Sequence, residues 1–188
     1  AFTLSLLRGS TPEDGLYFRE SEVTLWSGVS GHGKSSLLKQ TMLELCVAGI
    51  PFFVSSLEHK AEDLCQGLAR AAHRREPTLP EVESLLFDFG KLMHFLDIVG
   101  EVSSPELFEA MENCHKRFGC QHYFIDSLMR ISGLEENYPA QTEFMNSLQS
   151  FCKRTKSHIH LVTHPRKIDE TQRARKMDVK GSGNIPNN

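Results

Sequence analysis

Two periods alternate along this chain. Short apolar runs, which read as strands buried on both faces, are separated by longer stretches whose apolar residues recur three or four positions apart, the helical spacing. Val23-Thr24-Leu25-Trp26 predicts a strand near 22–27, and Leu37, Leu38, Met42 and Leu45 predict a helix near 34–48 that Gly49 would cap. Ile50-Pro51-Phe52-Phe53-Val54-Ser55 reads as a second buried strand. A helix over about 60–75 follows, with Ala61, Leu64, Cys65, Leu68 and Ala72 on one face. A Pro-punctuated helical stretch near 80–88 leads to an apolar strand over 93–98. Ser104 is the expected N-cap of the next helix, with Pro105 at its first position and Leu107, Ala110, Met111, Cys114 and Phe118 as its stripe. His122-Tyr123-Phe124-Ile125-Asp126 forms a fourth strand. After a loop with Gly133 and Pro139, Phe144, Met145, Leu148, Phe151 and Cys152 mark a last amphipathic helix, and Ile159-His160-Leu161-Val162-Thr163 a fifth strand. This order predicts an α/β fold with a central, mostly parallel sheet and helices on both faces. Ligands in such sheets bind at the carboxyl ends of the strands.

The turn between the first strand and the first helix carries the strongest chemical signal. Gly28-Val29-Ser30-Gly31-His32-Gly33-Lys34-Ser35 spells G-x-x-x-x-G-K-[ST], a phosphate-binding loop in the strand-turn-helix context that the motif requires. Loop N–H groups and the helix N-terminus would point at the phosphates, and glycines let the backbone approach them. Gly28, Ser30, Gly31, His32, Gly33, Lys34, Ser35 and Ser36 are the expected cradle. Lys34 would reach the β- and γ-phosphates and Ser35 would ligate Mg²⁺. The expected cofactors are therefore ATP, or another nucleoside triphosphate, and Mg²⁺.

Three polar residues end apolar strands, where the same rule places chemistry. Asp126 has the pattern of a Walker B acid that holds Mg²⁺ through water beside Ser35. Glu58, in Ser55-Ser56-Leu57-Glu58, stands where an acid would deprotonate the attacking water, although a helix N-terminus also favours acids. His164 follows the fifth strand and is placed to donate a hydrogen bond to the γ-phosphate.

Composition narrows the setting. At 188 residues and 39% hydrophobic, the chain suits one globular domain. No apolar run approaches the ~20 residues of a membrane span, and no signal-peptide layout opens the chain, so a cytoplasmic protein is expected. The five cysteines lack a C-x-x-C pair and read as reduced thiols rather than zinc ligands. Residues 164–180 carry six basic side chains against three acidic, a net of +3, so on a chain of net −3 the remainder carries −6. A basic segment on an acidic body points to a polyanion contact. Ala1 in place of a methionine, and a Gly- and Asn-rich end that closes no element, lead us to expect a piece of a longer protein.

Taken together, Ser55-Ser56-Leu57-Glu58, His122–Ser127 followed by Leu128-Met129-Arg130, Thr163-His164-Pro165-Arg166-Lys167 and Lys180-Gly181-Ser182-Gly183 resemble the RecA-type ATPase domain of DnaB-like hexameric replicative helicases. The branch containing phage primase-helicases and Twinkle is the nearest likeness. The resemblance implies a RecA-like P-loop fold in which Glu58 is the catalytic base, Asp126 the Walker B acid and His164 the γ-phosphate sensor. It implies a homohexameric ring around single-stranded DNA, with Arg166 and Lys167 as phosphate-backbone contacts and Arg130 at the start of a second pore-facing loop. It places an arginine finger from the neighbouring subunit past the end of this chain. Residues 1–21 would be a linker or subunit-docking segment, and 22–188 a C-terminally incomplete ATPase domain. A location in the bacterial or phage-infected cytoplasm, or the mitochondrial matrix, follows. The implied activity is an NTP-driven DNA helicase. The alternatives are a RecA-like recombinase or regulatory DNA-binding ATPase, and a small-molecule kinase built on the same loop.

Overall fold

A computed structural model describes residues 17–28 and 33–163 of the chain. Five strands, β1 (Glu22–Ser27), β2 (Phe52–Ser56), β3 (Met93–Phe95), β4 (His122–Asp126) and β5 (His158–Thr163), form one sheet in the order β1-β5-β4-β2-β3. Every pairing among them is parallel. Five helices connect them: α1 (Lys34–Val47), α2 (Ala61–His73), α3 (Leu79–Phe89), α4 (Ser104–Phe118) and α5 (Tyr138–Thr155).

The strand period explains the layers. One face of the sheet presents Phe53, Ile125, Ile159 and Leu161 to Leu107 and Met111 of α4 and to Phe144, Leu148 and Phe151 of α5. The other presents Phe52, Val54, Phe124 and Val162 to Leu38, Met42 and Leu45 of α1, Leu68 of α2 and Leu85 of α3. Strands apolar on both sides must be covered on both sides, so the helices divide between two layers.

Local chemistry sets the element ends. After α1, Gly49 takes φ +69°, its N–H bonds to the Cys46 carbonyl, and the Ile50 N–H reaches back to Leu45. That is a Schellman close, and with Pro51 lacking a donor it delays β2 to Phe52. The cap of α4 is Ser103 and not the expected Ser104: its hydroxyl accepts from the Glu106 N–H while the Glu106 carboxylate accepts from the Ser103 N–H. The correct cap is the one that has Glu three residues on, a reciprocal capping box. β3 is shorter than the predicted 93–98, because after Leu96 donates to Val54 the Ile98 N–H turns back onto the Leu96 carbonyl.

Near the amino ends of β4 and β5, three histidines are buried on the α1 face: His122, His158 and His160. Phe18 covers them, with ring centroids 5.2 Å from His158 and 4.8 Å from His160. Residues 17–21 lie before the expected boundary at 22, yet the Ser21 N–H bonds to the Ser157 carbonyl and Phe18 is 1% exposed. The tautomers follow from donor inventory. The Trp26 indole N–H donates to His160 Nδ1 (3.2 Å), so His160 carries its proton on Nε2 and donates to His122 Nδ1 (3.0 Å). His158 Nδ1 donates to the Arg19 carbonyl (2.7 Å), so its Nε2 accepts from the Thr24 hydroxyl (2.9 Å). Burial, with repulsion from His158, pushes His122 down to about 3. Burial likewise lowers His158 and holds His160 well below the ordinary imidazole range.

Candidate active site

The carboxyl ends of β1, β2 and β4 bring together the phosphate-loop termini, Glu58 and Asp126. Gly28 directly follows β1, and Gly33 opens α1 with φ +82°, a left-handed conformation that favours glycine at this position. No side chain caps α1 and its first turn holds no acid, whereas α2, α3 and α4 begin with Glu62 and Asp63, Glu81, and Glu106. The helix N-terminus therefore keeps its uncancelled positive end and its orphan N–H groups. Ser35 and Ser36 stand in that first turn. The Lys34 ammonium donates to the Gly28 carbonyl, which folds it across the neck of the loop. Ser30, Gly31 and His32 lie outside the described residues, as do His164, Arg166 and Lys167.

Parallel pairing fixes the two acids. Ser56 is in register with Asp126, and the Leu57 N–H donates to the Asp126 carbonyl at 2.9 Å, so Glu58 emerges beside the end of β4. Asp126 is half-buried and shares its sheet face with Phe124, the face that packs on α1. An uncapped helix N-terminus, the Ser35 hydroxyl in its first turn and a carboxylate on the α1 face suit an anionic, metal-bound nucleotide. Arg130, at the end of a short 3₁₀ turn (Leu128–Arg130), points its Nε to within 3.8 Å of Glu58 Oε1.

Sequence reasoning overlooked three hydroxyls on this rim. Ser55, Ser127 and Thr163 are buried and their hydroxyls have no hydrogen-bond partner. Buried polar groups are normally satisfied, and exceptions concentrate where water or a ligand completes the set. Their position at strand ends beside Glu58 and Asp126 was a usable signal; their burial was not.

A family model described as an AAA domain matches residues 14–170. The chain belongs to the AAA domain family. Among solved structures, the ATPase domain of a DnaB-like helicase superposes with a TM-score of 0.70 at 14% identity, over 90% of this chain. This chain spans 66% of the length of that structure. The AAA domain seen here is thus α/β with a RecA-like P-loop ATPase fold, and the sequence resemblance to RecA-type domains of DnaB-like helicases holds for family and fold. No helix among the described residues is long and apolar enough to cross a membrane.

Proposed function

We propose that this AAA domain is the motor of a DnaB-like replicative helicase, coupling nucleoside triphosphate hydrolysis to translocation on single-stranded DNA. The observation that carries the reading is the meeting of Glu58, Asp126 and the uncapped start of α1 at one sheet edge, tied by the Leu57 N–H to Asp126 carbonyl bond. In this reading Lys34 and the loop from Gly28 to Ser36 hold the triphosphate. Ser35, and Asp126 through water, hold Mg²⁺, which when bound neutralises phosphate charge. Glu58 takes the proton of the attacking water, and His164 donates to the γ-phosphate. Arg166 and Lys167 contact the DNA backbone by charge, which makes binding tolerant of sequence. The protein assembles as a hexameric ring in the cytoplasm or mitochondrial matrix, and a neighbour supplies the arginine finger.

A forked-duplex strand-displacement assay on the longest natural form of the protein tests this. ATP-dependent separation, lost on Glu58→Gln, together with sedimentation as a hexamer, is the expected result. DNA-stimulated hydrolysis by a monomer without strand separation would leave a regulatory ATPase.

A further inference from the structure

Arg130 and Glu58 meet although they come from different loops, and both backbones are tied to the same strand end. The Arg130 N–H donates to the Ser127 carbonyl (3.0 Å), and the Arg130 carbonyl accepts from the Val102 N–H (3.2 Å). Ser132 returns a bond to Val102 (2.9 Å), closing an isolated parallel bridge between Val102 and Ile131. On the other side, the Leu57 N–H bonds to Asp126 and the Leu57 carbonyl accepts from Gly100, both at 2.9 Å. With the main chain held at both residues, Arg130 acts through rotation of its side chain and not as the tip of a travelling loop.

The contact itself is loose. One nitrogen faces one oxygen at 3.8 Å, with the side chains 51% and 34% exposed, far from the two-pronged geometry a guanidinium makes with a carboxylate or phosphate. Exposed pairs of this kind hold weakly. A phosphate offers more charge and the oxygens needed for a fork. A general base works within about 3 Å of its water, and that water within about 3.5 Å of the atom it attacks. A guanidinium beside Glu58 is therefore one side-chain rotation from the γ-phosphate.

We propose that Arg130 is a phosphate-binding cation of the nucleotide site, acting in cis: its guanidinium takes the γ-phosphate beside Glu58 and so lets the chain distinguish a triphosphate from a diphosphate. This rests on the reading of the phosphate loop and Glu58 given above, and it assigns Arg130 to nucleotide instead of to the DNA contact implied by resemblance. A diphosphate ends short of the carboxylate, so only the triphosphate gains the contact. The position is half-exposed, so replacing it leaves the fold intact.

Fluorescence titration of the chain with a labelled β,γ-imido triphosphate, and separately with the labelled diphosphate, tests the assignment in Arg130→Ala, Arg130→Lys and Lys34→Ala. Arg130→Ala is expected to weaken triphosphate binding roughly 10-fold or more, the loss expected for a charge-assisted hydrogen bond. Diphosphate affinity should hold, which also reports a folded site, and Arg130→Lys should recover part of the loss. An unchanged triphosphate-to-diphosphate ratio in Arg130→Ala overturns the inference, whether or not single-stranded DNA then binds with a smaller salt slope. If instead Lys34→Ala binds triphosphate normally, the nucleotide-site reading fails and the Arg130 assignment falls with it.

Discussion

At the amino ends of β4 and β5, polar atoms are buried and paired: both ring nitrogens of His158 and of His160 have hydrogen-bond partners. At the carboxyl ends of the same strands, the hydroxyls of Ser127 and Thr163 are as deeply buried and have none. The difference teaches what each end is for. Polar groups sealed in a low-dielectric interior must complete their hydrogen bonds or cost stability, so the histidine end is a solved structural problem. The other end leaves hydroxyls unsatisfied beside a weak Arg130–Glu58 pair, the arrangement expected where a ligand or water completes the bonding. Stability and chemistry thus sit at opposite ends of one parallel sheet.

Four measurements test that division, from the largest expected effect to the smallest. Glu58→Gln keeps the shape of the base but cannot take a proton. Hydrolysis in the assembled protein should fall about 10²-fold or more while nucleotide binding and the unfolding midpoint stay near those of the parent. Parental turnover in that variant would put the base elsewhere.

His160→Phe preserves the ring stacked on Phe124, whose centroid lies 4.3 Å away, but strands the Trp26 N–H and His122 Nδ1. Urea unfolding should show a loss of about 3 kcal/mol, from two abandoned partners at roughly 1–3 kcal/mol each, with triphosphate affinity retained. A loss of nucleotide binding without a loss of stability would erase the distinction between the two ends.

Acid should act on the histidine end first. Folded-state values are depressed for His122, His158 and His160, so the fold holds them neutral while the unfolded chain takes up protons below about 6.5. Stability should be level above pH 6.5 and fall as pH drops from there toward the folded values, by up to about 1.4 kcal/mol per pH unit for each imidazole. Urea titrations at pH 7.5, 6.5 and 5.5 measure the slope, and His160→Phe should reduce it. A flat profile over that interval would mean that the imidazoles are not buried as neutral groups.

Thr24→Val removes the donor to His158 Nε2 and keeps the side-chain shape. The expected loss is about 1 kcal/mol in the same unfolding assay, with hydrolysis unchanged.

Much of this molecule is legible in its sequence because the information is local. The strand at His122–Asp126 appears with its expected bounds, and β1 and α1 fall where the period changes from two to three or four, since burial on two sheet faces demands continuous apolar runs. The phosphate loop is legible because its spacing is set by the reach of backbone N–H groups toward a phosphate. The boundaries that shifted, Ser103 for Ser104 and a short β3, were decided by which groups closed hydrogen bonds.

What sequence could not decide is pairing between distant segments. The strand order β1-β5-β4-β2-β3 puts β4 next to β2, and only that neighbourhood brings Glu58 to Asp126 and Arg130 to Glu58. The histidine chain likewise needs β1, β4 and β5 in register, with His122 opposite His158 and Thr24 opposite His160. Periodicity records which face a residue takes, because that is a property of its own backbone. Which residue stands across from it is settled by the sheet, whose register is fixed only when both layers of the core close together.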